Sequence, residues 1–404
     1  MRLRTPSLGV PRPVVALGAV SLMNDVSSEM VYPLLPLFLR GLGASPAFIG
    51  LVEGLAETTA SLLKLYSGWL ADRLGKHRAL AFTGYLIAAL TRPLLALANA
   101  PWQVLGARVI DRLGKGIRVA PRDALIAVAT PPAQRGLAFG FHRAMDNLGA
   151  AIGPALASLL LVVAPENYRL VFWVAAVPAL LSLGVFWWGV RAIEVPPHRQ
   201  THSPLAGART VLQGQFRRYL LCVLVFTLGN SSDAFLLLRA QEVGVAVAAI
   251  PLLWMGLNLV RSAMGVYGGL LADRIGRLTV LRWGWLAYAL VYAGFGFVST
   301  AWQMVPLFVL YALFYALTEG AERALVADFV PAERSGQAYG LYHFTVGLAA
   351  LPASALFGWL WGAFGAPVAF ATGATLALVA TVGLSQLTAQ SSKSQNANRP
   401  QWRP

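Results

Sequence analysis

The sequence predicts an all-α integral membrane protein, with twelve transmembrane helices in two pseudo-symmetric six-helix bundles and both termini cytoplasmic. Three observations predict it. Of 404 residues 57% are hydrophobic and 12% charged, with mean hydropathy +0.61, whereas a soluble domain carries about 25% charged residues. Apolar segments bounded by Gly, Pro and charge recur at lengths near the ~20 residues that a helix needs to cross hydrocarbon. The chain also repeats itself. Gly68-Trp-Leu-Ala-Asp72-Arg73-Leu-Gly75-Lys76 returns as Gly269-Leu-Leu-Ala-Asp273-Arg274-Ile-Gly276-Arg277, and Ala124-Leu125 with Arg135-Gly136-x-Ala-Phe-Gly140 returns as Ala324-Leu325 with Arg334-Ser-Gly336-x-Ala-Tyr-Gly340. Duplicated halves around a central site are a transporter architecture.

The expected spans lie near 13–39, 46–70, 79–98, 102–126, 136–162, 168–190, 218–241, 247–271, 280–298, 302–327, 338–362 and 367–387. Residues 1–190 form the first bundle and 218–388 the second. The polar stretch 191–217, with Pro196-Pro197-His198-Arg199, reads as a cytoplasmic linker, and 389–404 as a disordered cytoplasmic tail. The apolar N-terminus mimics a signal peptide but runs into Asn24 and Asp25 without a small-residue cleavage site, so it reads as an uncleaved first helix.

The net charge of +15 raises the possibility of nucleic acid, yet basic residues in membrane proteins collect in cytoplasmic loops. Here most do so by prediction, and Arg40, Arg169 and Arg239 are the exceptions in periplasmic segments. The expected partners are therefore a lipid bilayer and a small-molecule substrate, with no nucleic acid and a monomeric chain. The single cysteine, Cys222, excludes an intrachain disulfide.

The loop after the second span carries Gly68, three residues, Asp72-Arg73, one residue, Gly75 and then basic Lys76, His77 and Arg78, and its counterpart stands in the second half. In this the chain resembles the major facilitator superfamily (MFS), over residues 13–387. Gly75 and Gly276 permit a tight turn at a helix end, while Asp beside Arg can exchange partners between a helix N-terminus and a basic side chain. The resemblance implies a cytoplasmic gating role for Gly68, Asp72, Arg73, Gly75 and Lys76, with Arg118 or Arg122 as partners, and for Gly269, Asp273, Arg274, Gly276 and Arg277.

Two further patterns resemble the proton-coupled drug antiporters of this superfamily. On the fourth helix Arg108 and Gly114 match the antiporter spacing, but Asp111 and Arg112 replace its Gln and first Gly. On the fifth, Gly140, Gly149, Gly153 and Pro154 match a run of spaced glycines ending in Gly-Pro. Small residues let helices approach closely and Pro154 permits a bend.

Leaving aside Asp123 at a cytoplasmic helix end, nine of the 17 acidic residues fall inside predicted spans: Asp25, Glu29, Glu53, Glu57, Asp111, Asp146, Asp233, Glu319 and Glu322. A charge at the bilayer centre costs about 2.5–3.5 kcal/mol on the lenient scale, so these groups must line a cavity, be paired or be protonated. Arg108, Asp111, Arg112 and Lys115 stand at i, i+3, i+4 and i+7, one stripe of a helix that Arg118 and Arg122 extend. Asp25 with Glu29, Glu53 with Glu57, and Arg143 with Asp146 share faces of the first, second and fifth helices. Asp25, Glu57, Asp111, Arg112 and Asp146 lie near the midplane, so a carboxylate and arginine network is expected across these four helices. Burial favours the protonated carboxyl and a nearby arginine the carboxylate; a helix movement that exchanges partners would load or release a proton. Asp25 or Glu29 is the expected carrier, then Asp111, with Arg108 and Arg112 tuning them or holding an anion.

The second half is less charged. Asn230, Ser231, Ser232 and Asp233 loosely echo Asn24, Asp25, Ser27 and Ser28, and Arg261 has Asp233 or Glu319 as expected partner. Trp254, Tyr267, Trp285, Tyr288, Tyr292 and Phe314 read as interface anchors or lipid contacts ahead of substrate contacts. No metal site is expected, because His142 and His343 lack ligand spacing. The function so expected is secondary active transport across the inner membrane, driven by a proton gradient without a cofactor, as efflux by antiport. The alternative is symport uptake of a metabolite or anion. An enzyme or lipid-handling protein is disfavoured, as no Walker loop, zinc motif or serine elbow is present.

Overall fold

Each predicted span is a helix in the computed structural model, which describes residues 10–190, 211–330 and 334–387. In chain order they are α1 Arg12–Gly41, α2 Pro46–Leu74, α3 His77–Leu97, α4 Pro101–Val128, α5 Arg135–Val163 and α6 Tyr168–Gly189. The second half holds α7 Gly214–Glu242, α8 Val247–Ile275, α9 Arg277–Phe297, α10 Ala301–Asp328, α11 Ser335–Phe364 and α12 Ala366–Ser385. Most of the expected linker, and the tail beyond 387, lie outside the described residues.

Nine of these helices are long and apolar enough to cross a membrane. Helices α2 and α4 fall short because of the charges they carry, and α9 because Trp, Tyr and Gly weigh little on a hydropathy scale.

Duplication shows in local chemistry. The side chains of Gln103 and Gln303 each accept from two backbone N–H groups ahead of their helix, at 2.6 and 3.2 Å in α4 and 2.9 and 3.3 Å in α10. These are donors that a helix start leaves without intrahelical partners. Gly75 (φ 62°) and Gly276 (φ 96°) turn the chain between α2 and α3 and between α8 and α9, where any other residue would be strained.

The first helix of each half is interrupted. In α1 a 3-10 turn covers Tyr32–Leu34, where Pro33 supplies no N–H. In α7 the helix stops at Gly229 and restarts at Ala234, across four short polar side chains that compete with the helical backbone. Gly68 and Gly269 set the repeat offset at 201, and Asp233 minus 201 is Tyr32, so the two interruptions coincide. The expected echo with Asn24 and Asp25 is out of register, since those residues lie in regular helix.

Four arginines fasten helix ends. Arg78 donates to the Val190 and Trp187 carbonyls at the end of α6, Arg169 to Ala96 at the end of α3, Arg239 to Phe295 and Val298 at the end of α9, and Arg282 to Leu384 and Leu387 at the end of α12. Each fork satisfies carbonyls that a helix leaves open and suits the negative end of its dipole.

The helices define a terminal end, where Arg12 and Ser385 lie, and a far end. Between described residues, the halves join from the far end to about mid-helix. Arg40 bonds Glu242 at 2.8 Å, Ser158 donates to the Ala248 carbonyl at 2.7 Å and Thr58 to the Gly347 carbonyl at 2.6 Å. Along the seam of α2 and α11, Gly50 and Gly54 press on the backbone of Ser354 and Leu351, while Gly358 presses on that of Pro46. Side chains at these glycines would collide with main chain.

The aromatic residues depart from the expectation of lipid contact. Trp285, Tyr288 and Tyr292 are fully buried and Phe314 and Trp254 nearly so; only Tyr267 of the six is exposed. Trp285, Tyr288, Tyr292 and Phe314 pack with Phe226, Phe295 and Tyr311 into the core of the second half, with Phe226 stacked on Trp285 at 4.2 Å, whereas Trp254 packs on Tyr32 of α1 at 4.9 Å. Ring on ring burial outweighs an interfacial position here.

Candidate functional site

The charged side chains inside the bundle divide into three groups. The first is a knot among α2, α3 and α4. Asp111 is 2% exposed and accepts from Arg92 at 2.9 Å and from Arg112 at 2.7 and 3.0 Å, with Arg108 3.7 Å away. Arg108 forks onto Glu53 at 3.0 and 3.2 Å and lies 5.3 Å from the centre of the Tyr32 ring. Arg92 also donates to the Ser27 hydroxyl of α1 at 3.0 Å. Gly84 and Gly114 let the backbones of α3 and α4 touch beside it. Two carboxylates thus hold three guanidinium groups, and removing either acid would strand buried charge.

The second group lies on α1 and α5. Asp25 accepts from Asn24 at 3.2 Å, Glu29 from the Trp254 indole of α8 at 2.7 Å, and Asp146 from the Ser21 hydroxyl, with His142 Nδ1 3.5 Å away. Between described residues, no lysine or arginine nitrogen comes within 4 Å of these three acids. Gly149 and Gly153 bring α5 against the α1 backbone from Leu22 to Met30, beside Asp25 and Glu29, whereas Gly140 faces open space. The predicted four-helix network is therefore two systems, one paired and one not. On α2, Glu57 is exposed and accepts from Ser61 at 3.4 Å.

The third group is in the second half. Asp233 accepts from Tyr311 at 2.7 Å, and Arg261 pairs with Glu319 at 2.6 Å rather than with Asp233.

At the terminal end Arg277 bonds Asp328 and lies 3.5 Å from Asp273. Of the expected partners in the first half, Arg122 pairs with Asp123 at 2.8 Å and Arg118 lies over the Tyr85 ring at 4.8 Å. Arg73, Lys76 and Arg274 are exposed; Gly68 lies within α2 and Gly269 within α8. The side chain of Asp72 lies outside the described residues. Pro154 sits inside α5, four residues before Ser158.

A family model described as Major Facilitator Superfamily matches residues 17–255 and 219–404. The chain belongs to the Major Facilitator Superfamily. This MFS chain is 33% identical to an uncharacterized MFS-type transporter of Methanocaldococcus jannaschii over 375 residues, 91% of this chain and 92% of that one. It is 30% identical to the multidrug resistance protein MdtH of Proteus mirabilis over 195 residues, 48% of this chain and 47% of that one. Its fold superposes on the nucleoside transporter NupG with TM-score 0.81 at 12% identity, covering 92% and 99% of the two chains. A POT family transporter in complex with 5-aminolevulinic acid gives 0.78 at 14%, covering 93% and 96%. The chain is thus a multipass membrane protein of a transporter family, and its relatives are transporters rather than enzymes.

Sequence reasoning singled out neither Arg92 nor Tyr311, and it named Glu53 as one acid among nine that shares a helix face with Glu57, without its arginine partner. A lone arginine in an otherwise apolar span was the available signal for Arg92, since such a residue must find a partner within the bundle. Nothing in the pattern distinguishes Tyr311 from the other aromatics.

Proposed function

We propose that the chain is a proton-coupled secondary transporter that exports a small solute by alternating access, as a monomer with cytoplasmic termini in the inner membrane. The observation that carries this is the lopsided seam between the halves: between described residues, the bonds and backbone approaches that join them run from the far end to mid-helix. Such a bundle is poised with its terminal side open, and the reverse state requires only that the seam part and the terminal end close. The unpaired acids support proton coupling. Asp25 is the preferred carrier, with Glu29 and Asp146 beside it, because their partners are neutral donors or a histidine; Asp111 is held by arginines and is fixed as a charge. The loops with Gly75 and Gly276 serve as terminal gates. Partial likeness to MdtH and the glycine run of α5 favour export.

Proton movement in inside-out vesicles with an acidic interior tests the reading, with cationic drugs, divalent metals, oxyanions and sugars added in turn. Proton release evoked by one panel and lost in Asp25→Asn supports antiport. Silence from folded protein on every panel counts against it.

One observation favours a second reading, symport of an anion. Lys64, Lys115 and Arg118 have no carboxylate within 4 Å between described residues, and the contact of Gly116 with Leu63 sets Lys64 beside Lys115. Proton uptake stimulated by oxyanions in right-side-out vesicles distinguishes the two.

A further inference from the structure

Asp233 ends the interruption in α7, yet its carboxylate does not cap the helix that follows. It turns to α10 and accepts from Tyr311 at 2.7 Å; the Tyr311 hydroxyl lies 3.5 Å from that of Tyr315, one turn on. The Tyr315 ring is 4.7 Å from the Arg261 guanidinium, which bonds Glu319, and Arg323 takes the other Glu319 oxygen at 2.8 Å. Tyr311, Tyr315, Glu319 and Arg323 are spaced by four and form one stripe of α10. At 1.5 Å per residue the stripe runs about 18 Å from the α7 interruption toward the terminal end.

Asp233 is half-buried, and no lysine or arginine nitrogen lies within 4 Å of it between described residues. The charged and titratable groups facing it are Tyr32 of α1, Glu53 and Glu57 of α2, Arg261 of α8, Tyr288 and Tyr292 of α9, and Tyr311 and Tyr315 of α10. Arg261 is engaged by Glu319 and Glu53 by Arg108. A carboxyl with one phenol donor and no base beside it can hold a proton where a bare charge would be costly.

We propose that Asp233 is a second proton-binding site, separate from the acids of α1 and α5, filled and emptied through Tyr311 and Tyr315 toward the terminal end. In the transfer the Asp233 proton passes to the Tyr311 oxygen as Tyr311 gives its own to Tyr315 and Tyr315 releases one to solvent. Each phenol gains one proton and loses one, so the only net change is at the carboxyl. This deepens the proton-coupled reading and rests on it.

The test is infrared difference spectroscopy of the full chain in liposomes during pH titration, with protons as the only ligand. Two protonated carboxyl bands are expected in the wild type, one lost in Asp233→Asn and the other in Asp25→Asn. Asp233→Glu restores a shifted band and so separates loss of the site from loss of the fold. Tyr315→Phe keeps the band but slows its hydrogen–deuterium exchange by about 10²-fold, the low end of what a positioned proton donor contributes. A wild-type spectrum in Asp233→Asn overturns the site, and unchanged exchange in Tyr315→Phe overturns the relay. Loss of the Asp25 band alone from the expected pair would sink the preferred carrier while leaving Asp233 standing.

Discussion

Arg92 of α3 and Asp111 of α4 meet at 2.9 Å with each side chain 3% exposed. The carboxylate they share with Arg112 is the centre of the knot, so the members of the knot are not equivalent.

Asp111→Leu strands Arg92 and Arg112 together and is expected to lower stability by about 3–5 kcal/mol. Arg92→Leu leaves Asp111 with Arg112 and is expected to cost less. Thermal melts of the purified variants check the order; equal losses would contradict a shared carboxylate.

Arg108→Gln leaves Glu53 buried without its charge partner and Glu53→Gln leaves Arg108 with Asp111 alone, 3.7 Å away, and both are expected to destabilise. The double variant recovers part of the loss, with a coupling of about 0.5–3 kcal/mol. Additive losses in a double-mutant cycle would show that the fork between α2 and α4 contributes little.

Gly149→Val and Gly153→Val drive side chains into the α1 backbone and should cost about 1–3 kcal/mol each. Gly140→Ala, facing open space, is expected to be near neutral by the same melts. A Gly140→Ala loss as large as that of Gly149→Val would refute the packing argument.

Gly50→Val wedges the far-end seam against Ser354, and Trp254→Phe removes the indole donor from Glu29, a bond to a charged group worth about 1.5–3 kcal/mol. Both are expected to populate a state open at the far end. Spin labels at positions 40 and 242, in a Cys222→Ser background, read the separation, and an unchanged distance distribution would be evidence against this seam as the barrier.

The helices were legible because hydropathy and length act locally: every span falls within a few residues of its expected place, and the duplicated loops fix the two-half plan. The acids were legible as a set, for the cost of charge in hydrocarbon does not depend on neighbours. Their partners were not. Spacing along α4 aligns Arg108, Asp111 and Arg112 but cannot show that Arg92 arrives from α3 while Asp25 and Asp146 form a group outside the knot, because that depends on where glycines let backbones touch. The aromatics of α9 misled for a related reason: a Trp or Tyr in a span suits a membrane interface and a buried core equally, and only packing decides.

The arginine clamps also bear on how the chain is made. While a membrane protein is being inserted, a basic residue acts as a bare charge that helps choose which way a helix lies. In the finished bundle Arg78 and Arg282 are bound to the carbonyls closing α6 and α12, so with the terminal end on the cytoplasmic side, as proposed, an early signal for orientation becomes a late fastening. Lysine would keep the first task and lose the second, since a single ammonium cannot reproduce the planar fork. A chain with Lys at both positions would thread in the correct sense and finish with its last helix in each half loosely tied.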